Sequence, residues 1–207
     1  MSRKLLPLAL AGLALVIVVG AVAQLVLPPL TASRMENRLT EGGGSAIVSA
    51  DAFPAARLLL GDGDRIEVRG TGLDLELPEE SDVFERLDGF DDVDVQLDSS
   101  RAGPFTIESF ELARAGSAPY RLVASSRTTP QDLLVYGAAR LGLPGGPLLG
   151  YLSGRVREAD RPIPVELDME LESEDGRVVV VSGGGTVAGI PSGPLAQLLT
   201  EAIVVQL

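Results

Sequence analysis

The segment VELDMELESEDGRVVVV, Val165–Val181, decides how this chain folds. Val165, Leu167, Met169 and Leu171 alternate with Glu166, Asp168, Glu170 and Glu172. A period of two puts each set on its own face of a strand. Glu174-Asp175-Gly176 supplies turn residues, and Val178–Val181 returns as a nearly all-valine strand. The segment therefore predicts an antiparallel hairpin with one apolar and one acidic face, the pattern of a sheet buried on one side only.

The same period recurs upstream. Ile66 and Val68 alternate with Arg65, Glu67 and Arg69, and Leu73, Leu75 and Leu77 alternate with Asp74 and Glu76. With Gly70-Thr71-Gly72 between them, these runs predict a hairpin or two consecutive strands. Val93, Val95 and Leu97 make the next strand, with Asp92, Asp94, Gln96 and Asp98 outward. Phe105 and Ile107 share one phase while Phe110 and Leu112 share the other, which predicts a β-bulge within Thr106–Leu112 and a bent sheet. Ala46–Ala50 and Tyr120–Ala124 add further strands, and Thr186–Ile190 resumes a ladder that Gly183-Gly184-Gly185 is expected to break.

Helix signals stand between the strands. Pro54–Leu60 reads as a helical turn with an apolar face from Phe53, Leu58, Leu59 and Leu60, ended by Gly61, and Glu79–Leu87 as a short acidic helix. Thr129-Pro130-Gln131-Asp132 combines a hydroxyl N-cap, a proline at the first position and an acid in the first turn. Leu134, Ala138 and Leu141 follow as an apolar stripe, and Gly142–Gly150 reads as an apolar loop. A final helix after Pro194 carries Leu195, Leu198, Leu199, Ala202 and Ile203 on one face. The expected fold class is α+β, a curved antiparallel sheet with two longer helices packed on one face.

Ahead of this domain lies Leu5–Leu30, preceded by Met1, Ser2, Arg3 and Lys4 and free of charge up to Arg34. A helix over Leu5–Leu27 is about 34 Å long at ~1.5 Å per residue, enough for a hydrocarbon core of ~30 Å. Arg3 and Lys4 on the cytoplasmic side send the rest of the chain outward. The expected organisation is an N-terminal anchor or signal peptide over residues 1–30, a polar linker over 31–45 and an extracytoplasmic domain over 46–207. Pro28-Pro29 is expected to stop the apolar helix, and Thr31–Thr40 to form a short polar helix standing the domain off the membrane. Ala21-Val22-Ala23 fits a small-x-small cleavage site, so the protein is secreted if cut there and single-pass in the membrane if not. The long apolar continuation through Leu27 favours a retained anchor.

Composition narrows the chemistry. The net charge is −12, and without Arg3 and Lys4 it becomes −14, which suits neither a nucleic-acid backbone nor an anionic lipid surface. The chain has no histidine, cysteine or tryptophan, and Lys4 is its only lysine. Ser-His-Asp, Cys-His and Ser-Lys catalysis, histidine or thiolate zinc ligation and disulfides are thereby excluded in the outer domain. Asp88, Asp91, Asp92, Asp94 and Asp98, and Asp62-Gly63-Asp64, lack EF-hand spacing and read as solvated faces. A glycosidase carboxylate pair would want aromatic platforms, and the chain has three tyrosines and five phenylalanines. Gly183-Gly184-Gly185 lacks the residues of a phosphate loop. No metal, cofactor or catalytic residue is expected.

The apolar helices and valine-rich strands read by default as core, but a curved sheet with helices on one face can also stay open between the layers as an aliphatic, lipid-sized cavity, and periodicity is the same for both. A diacyl lipid with about thirty methylenes loses roughly 24 kcal/mol on exposure to water at ~0.8 kcal/mol each, so a carrier needs a continuous aliphatic wall. The segment FPAARLLLGDGDRIEVRGTGLDLEL, Phe53–Leu77, resembles the opening of the LmeA-like phospholipid-binding family of exported actinobacterial proteins. The likeness continues through the Asp92–Asp98 strand, the Thr129–Leu141 helix and the hairpin around Asp175-Gly176. It implies a fold reminiscent of tubular lipid-binding domains and a non-catalytic role in cell-envelope lipid handling. The C-terminal GTVAGIPSGPLAQLLTEAIVVQL and the acidity depart from the family. Leu134, Ala138, Leu141, Leu195, Leu198, Leu199 and Ile203 are the candidate lipid contacts. The alternative is a structural or interaction domain that presents its acidic sheet face to an envelope partner.

Overall fold

The computed structural model describes residues 5–75, 83–140, 161–174, 177–187 and 190–191, with side chains described from Gly20 on except those of 83, 85, 134, 137–140, 177 and 190–191. Alternation does build the sheet. Its strands are β1 (Ser45–Asp51), β2 (Gly63–Thr71), β3 (Asp74–Leu75), β4 (Phe90–Ala102), β5 (Phe105–Ala115), β6 (Tyr120–Thr128), β7 (Ile163–Glu174), β8 (Arg177–Val187) and β9 (Ile190–Pro191). They form one sheet in the order β1-β2-β4-β5-β6-β7-β8-β9, with β3 beside β4. The predicted hairpin is β7–β8, antiparallel from Glu174↔Arg177 to Val165↔Val187. The fold is α+β, with a mostly antiparallel sheet.

Two pairs depart from the antiparallel expectation. β2 runs parallel to β4, from Gly63↔Phe90 to Thr71↔Asp98. β3 continues along the same strand at Asp74↔Arg101 and Leu75↔Ala102, also parallel. Residues 65–75 therefore make consecutive strands and not a hairpin. The chain kinks at Gly72, whose φ of +67 is a conformation glycine adopts without strain, and does not turn back. β4 is 13 residues long and can pair with both.

The predicted bulge is present. Between β5 and β6 the register shifts between Ile107 and Ser109, which leaves Glu108 as the extra residue. It belongs to a larger feature. Buried positions change phase from Gly70 to Leu73 in β2–β3, from Leu97 to Ser100 in β4 and from Ile107 to Phe110 in β5. Pairing places the three slips side by side, at Gly72, Ser99 and Glu108. Ser99 takes a φ of 47 to make its turn, and the Ser100 hydroxyl accepts from Leu73 N at 3.1 Å and donates to Asp98 O at 2.9 Å. A crease thus crosses three strands and stops at β6, where burial alternates without a break. The ladder also continues through Gly183–Gly185, where a break was expected. Gly183, at φ +84, lies so close to Asp168 O that a Cβ would stand 2.3 Å from it.

The helices cover this curved surface. α1 (Leu5–Leu39) is one helix through Pro28 and Pro29, so the prolines do not end it. They remove the bonds to Gln24 O and Leu25 O, but the turns beyond them are held by packing. Ala32 and Leu39 are buried in the same core cluster as the sheet, with Met35 against it, and Glu36 Oε1 accepts from Val48 N at 2.9 Å. Residues 31–40, expected to stand the domain off the membrane, are thus part of its core. Among the described residues no helix is long and apolar enough to cross a membrane; the backbone of 5–19 is helical, and their side chains lie outside the description.

α2 (Val83–Asp88) lies against β4 on one side and β7 and β8 on the other, strands that are neighbours only if the sheet curls around it. Its Phe84 has no exposed surface and meets the Tyr120 ring edge-on, with centroids 4.8 Å apart. α3 (Pro130–Arg140) starts as predicted, with Thr129 Oγ1 accepting from Asp132 N at 3.0 Å. Its Leu133 and Val135 are exposed. Two longer helices on one face were expected; the helices seen against the core are α1 and α2, and residues 192–207, where the final helix was placed, lie outside the described residues.

Candidate functional site

The predicted lipid contacts are only partly placed. Leu134 and Ala138 lie one turn apart on α3, with their side chains outside the described set. Leu141, Leu195, Leu198, Leu199, Ala202 and Ile203 lie outside the described residues altogether. The middle of the sheet's inner face is packed: Val95, Leu97, Ile107, Leu112, Leu122 and Leu171 have no exposed surface. These side chains belong to one cluster and form ordinary core.

A different apolar surface is open. The corner between β1 and β2 contains a 3-10 helix, Ala55–Leu60, ended by Gly61 in the left-handed conformation as expected. Phe53, Leu58, Leu59 and Leu60 were expected to share one apolar face, but only Leu58 is buried, together with Ala55 three residues earlier. Leu60 is 85% exposed, Phe53 77% and Leu59 65%. The reason is helix pitch. Three residues per turn put Leu58, Leu59 and Leu60 on three different sides, so a run of three leucines cannot face inward together. Full burial of each exposed side chain would gain roughly 1.5–3 kcal/mol.

This corner is held firmly. Arg57 makes a two-pronged pair with Asp62, Nε–Oδ2 at 3.0 Å and a terminal nitrogen to Oδ1 at 2.7 Å, and reaches Asp64 with its other terminal nitrogen. Asp64 Oδ2 also accepts from Phe53 N at 2.8 Å. The hydrogen bond from Arg57 holds the Asp62 carboxyl below its ordinary pKa, and the bond to Asp62 first of all raises that of Arg57. Gln24 in α1 closes the other side, donating to Ala52 O and accepting from Ala55 N, both at 2.8 Å. Beside it, Val22, Leu25, Val26 and Leu30 face outward from α1 at helical spacing. Gln24, the single amide of the apolar run, was the one signal in the sequence that something docks there.

Pairing shows which end of the sheet this is. Gly63↔Phe90, Asp92↔Ala115, Tyr120↔Leu171 and Glu174↔Arg177 put the start of β2 and β4, the β5–β6 turn and the β7–β8 turn at one end. That end also holds a cleft of about 200 Å³ lined by Asp88, Arg114, Tyr120, Leu171 and Ser173 among others. Arg114 bonds Asp88 Oδ1 at 2.9 Å, Leu87 O at 3.0 Å and Phe90 O, and stacks 4.4 Å over the Tyr120 ring. The Tyr120 hydroxyl donates to the same Asp88 oxygen at 2.8 Å. Arg114 is nearly buried and its charge is met by Asp88, so the group ties α2 to β5 and β6.

The acids stand mostly on the outer face. Asp92 and Asp98 of β4 are exposed, and Glu166, Asp168, Glu170, Glu172 and Glu174 form an exposed row along β7. Among the described residues no group of three acids is gathered closely enough to hold a metal ion. No family model, no curated protein and no solved structure matches the chain.

Proposed function

We propose that this chain is a membrane-anchored, extracytoplasmic protein that binds phospholipid at the outer surface of the membrane and serves cell-envelope lipid handling without catalysis. The observation that carries this reading is the continuity of α1. Its apolar half runs without interruption into a half that joins the sheet's core through Ala32 and Leu39 and accepts a hydrogen bond from β1 at Glu36. A helix that spans with residues 5–24, about 29 Å at ~1.5 Å each, would hold the sheet at the outer boundary with no slack. Retention of the anchor fits the same geometry, because Ala21-Val22-Ala23 lies within the helix and Gln24 is engaged by the corner. The likeness of Phe53–Leu77 to the LmeA-like phospholipid-binding family supports the choice of ligand. A surface with so much negative charge favours lipid recognition through apolar contact over recognition of an anionic headgroup.

The acid row of β7 favours a second reading, an interaction domain for a basic envelope partner, since only Asp168 of that row pairs with an arginine among the described residues, Arg121 at 3.9 Å. Native mass spectrometry of the full chain extracted from membranes separates the two. Co-purified phospholipid at fixed stoichiometry is expected, and a clean apo mass from gentle extraction would leave the interaction domain ahead.

A further inference from the structure

We propose that Phe53, Leu59 and Leu60 insert into the outer leaflet beside α1, and so fix the sheet end-on to the membrane. The occupant of this surface is the phospholipid bilayer that α1 enters, so the inference rests on the anchor reading above.

Three observations lead to it. The corner is attached to α1 at Gln24, near the outward end of the apolar Leu5–Leu27 stretch, so under the anchor reading it stands where the helix leaves the hydrocarbon core. The 3-10 helix packs against α1, and both elements carry exposed apolar side chains, Val22, Leu25, Val26 and Leu30 on α1 and Phe53, Leu59 and Leu60 on the corner. Finally, the side chains are presented on a rigid corner. Phe53 N is held by Asp64, Ala55 N by Gln24, and Arg57 clamps both acids beyond the 3-10 helix.

Several large apolar side chains exposed on one docked corner of an acidic domain mark an interaction site. Its place beside an apolar helix selects lipid over protein. An inserted interfacial group sits about 5–10 Å into the headgroup and acyl boundary, a depth that side chains of this size on one helical turn can reach. Once the corner is inserted, the β5–β6 and β7–β8 turns and the Arg114–Tyr120 cleft face the same leaflet, because pairing puts them at that end.

The absence of tryptophan makes the test direct. Full-length Leu60→Trp and Leu59→Trp each carry one reporter at an exposed site, and Val123→Trp carries one on the outward face of β6. The probe is phosphatidylcholine vesicles with acyl chains brominated at defined depths. In them the indoles of Leu60→Trp and Leu59→Trp should emit at shorter wavelength than that of Val123→Trp and be quenched severalfold more. Water-like emission from both corner reporters, in protein that carbonate-washed vesicles retain, overturns the insertion and leaves the anchor standing. Release of the protein by carbonate overturns the anchor reading and the insertion with it.

Discussion

Tyr120 stands where three parts of the fold meet. Its ring packs edge-on against Phe84 of α2 and under the Arg114 guanidinium of β5, and its hydroxyl reaches Asp88 at the end of α2. Burial, and after it the hydrogen bond to Asp88, raises its pKa above the ordinary value near 10. The unfolded chain therefore loses this proton first as pH rises, so the stability it contributes is present below pH 10 and is lost above it. Tyr120→Phe is expected to cost about 0.5–1.5 kcal/mol at neutral pH, the net worth of one hydrogen bond. The gap between variant and parent should narrow about one unit above pH 10, because the variant has no phenol to ionise. Urea denaturation of both proteins at the two pH values checks this, and a constant gap would mean that Tyr120 does not carry the alkaline loss.

Among the elements, the crease through Gly72, Ser99 and Glu108 has the largest consequence for shape. β4 and β5 change phase together, so they keep their register with each other, and the extra residue is needed only against β6. Glu108 points outward, where it pairs with Arg127 at 2.7 Å and accepts from Ser125 Oγ at 3.1 Å. Glu108→Ala removes an exposed ion pair and should cost less than about 1 kcal/mol. Deleting Glu108 is a different change. It turns Phe105 and Ile107 to the solvent face while Phe110 and Leu112 stay inside, at a cost of about 3–6 kcal/mol for two large side chains. For a domain of ordinary marginal stability, thermal unfolding followed by far-UV circular dichroism should show a near-parental transition for Glu108→Ala and none, or a far lower one, for the deletion.

At the scale of the whole molecule, the sheet and the second half of α1 share one core, and the anchor reading makes a topological demand. With Arg3 and Lys4 inside, protease added to intact spheroplasts should digest the chain beyond Thr31, and intact mass should include residues 1–23. Protection of the sheet would reverse the orientation, and an N-terminus at Gln24 would show cleavage. The acid row of β7 is on the outer face of the sheet, and the two acids of the β1–β2 corner, Asp62 and Asp64, are paired with Arg57.

What the sequence by itself determined is local. Alternation marked the strands, the phase slip between Ile107 and Phe110 announced the bulge, and Thr129-Pro130 announced the start of α3, because each depends on side chains a few residues apart. Tertiary structure alone decided which strand lies beside which. The parallel partnership of β2 with β4 leaves no mark in either strand, since a period of two describes a face and says nothing of direction. It also decided that α1 persists through Pro28-Pro29, where burial of Ala32 and Leu39 outweighs two missing hydrogen bonds. The open corner belongs to the same class. A leucine run reads as core in any sequence, and the three-residue pitch of its helix buries Leu58 and turns Leu59 and Leu60 outward, while Phe53, ahead of that helix, is exposed on the same corner.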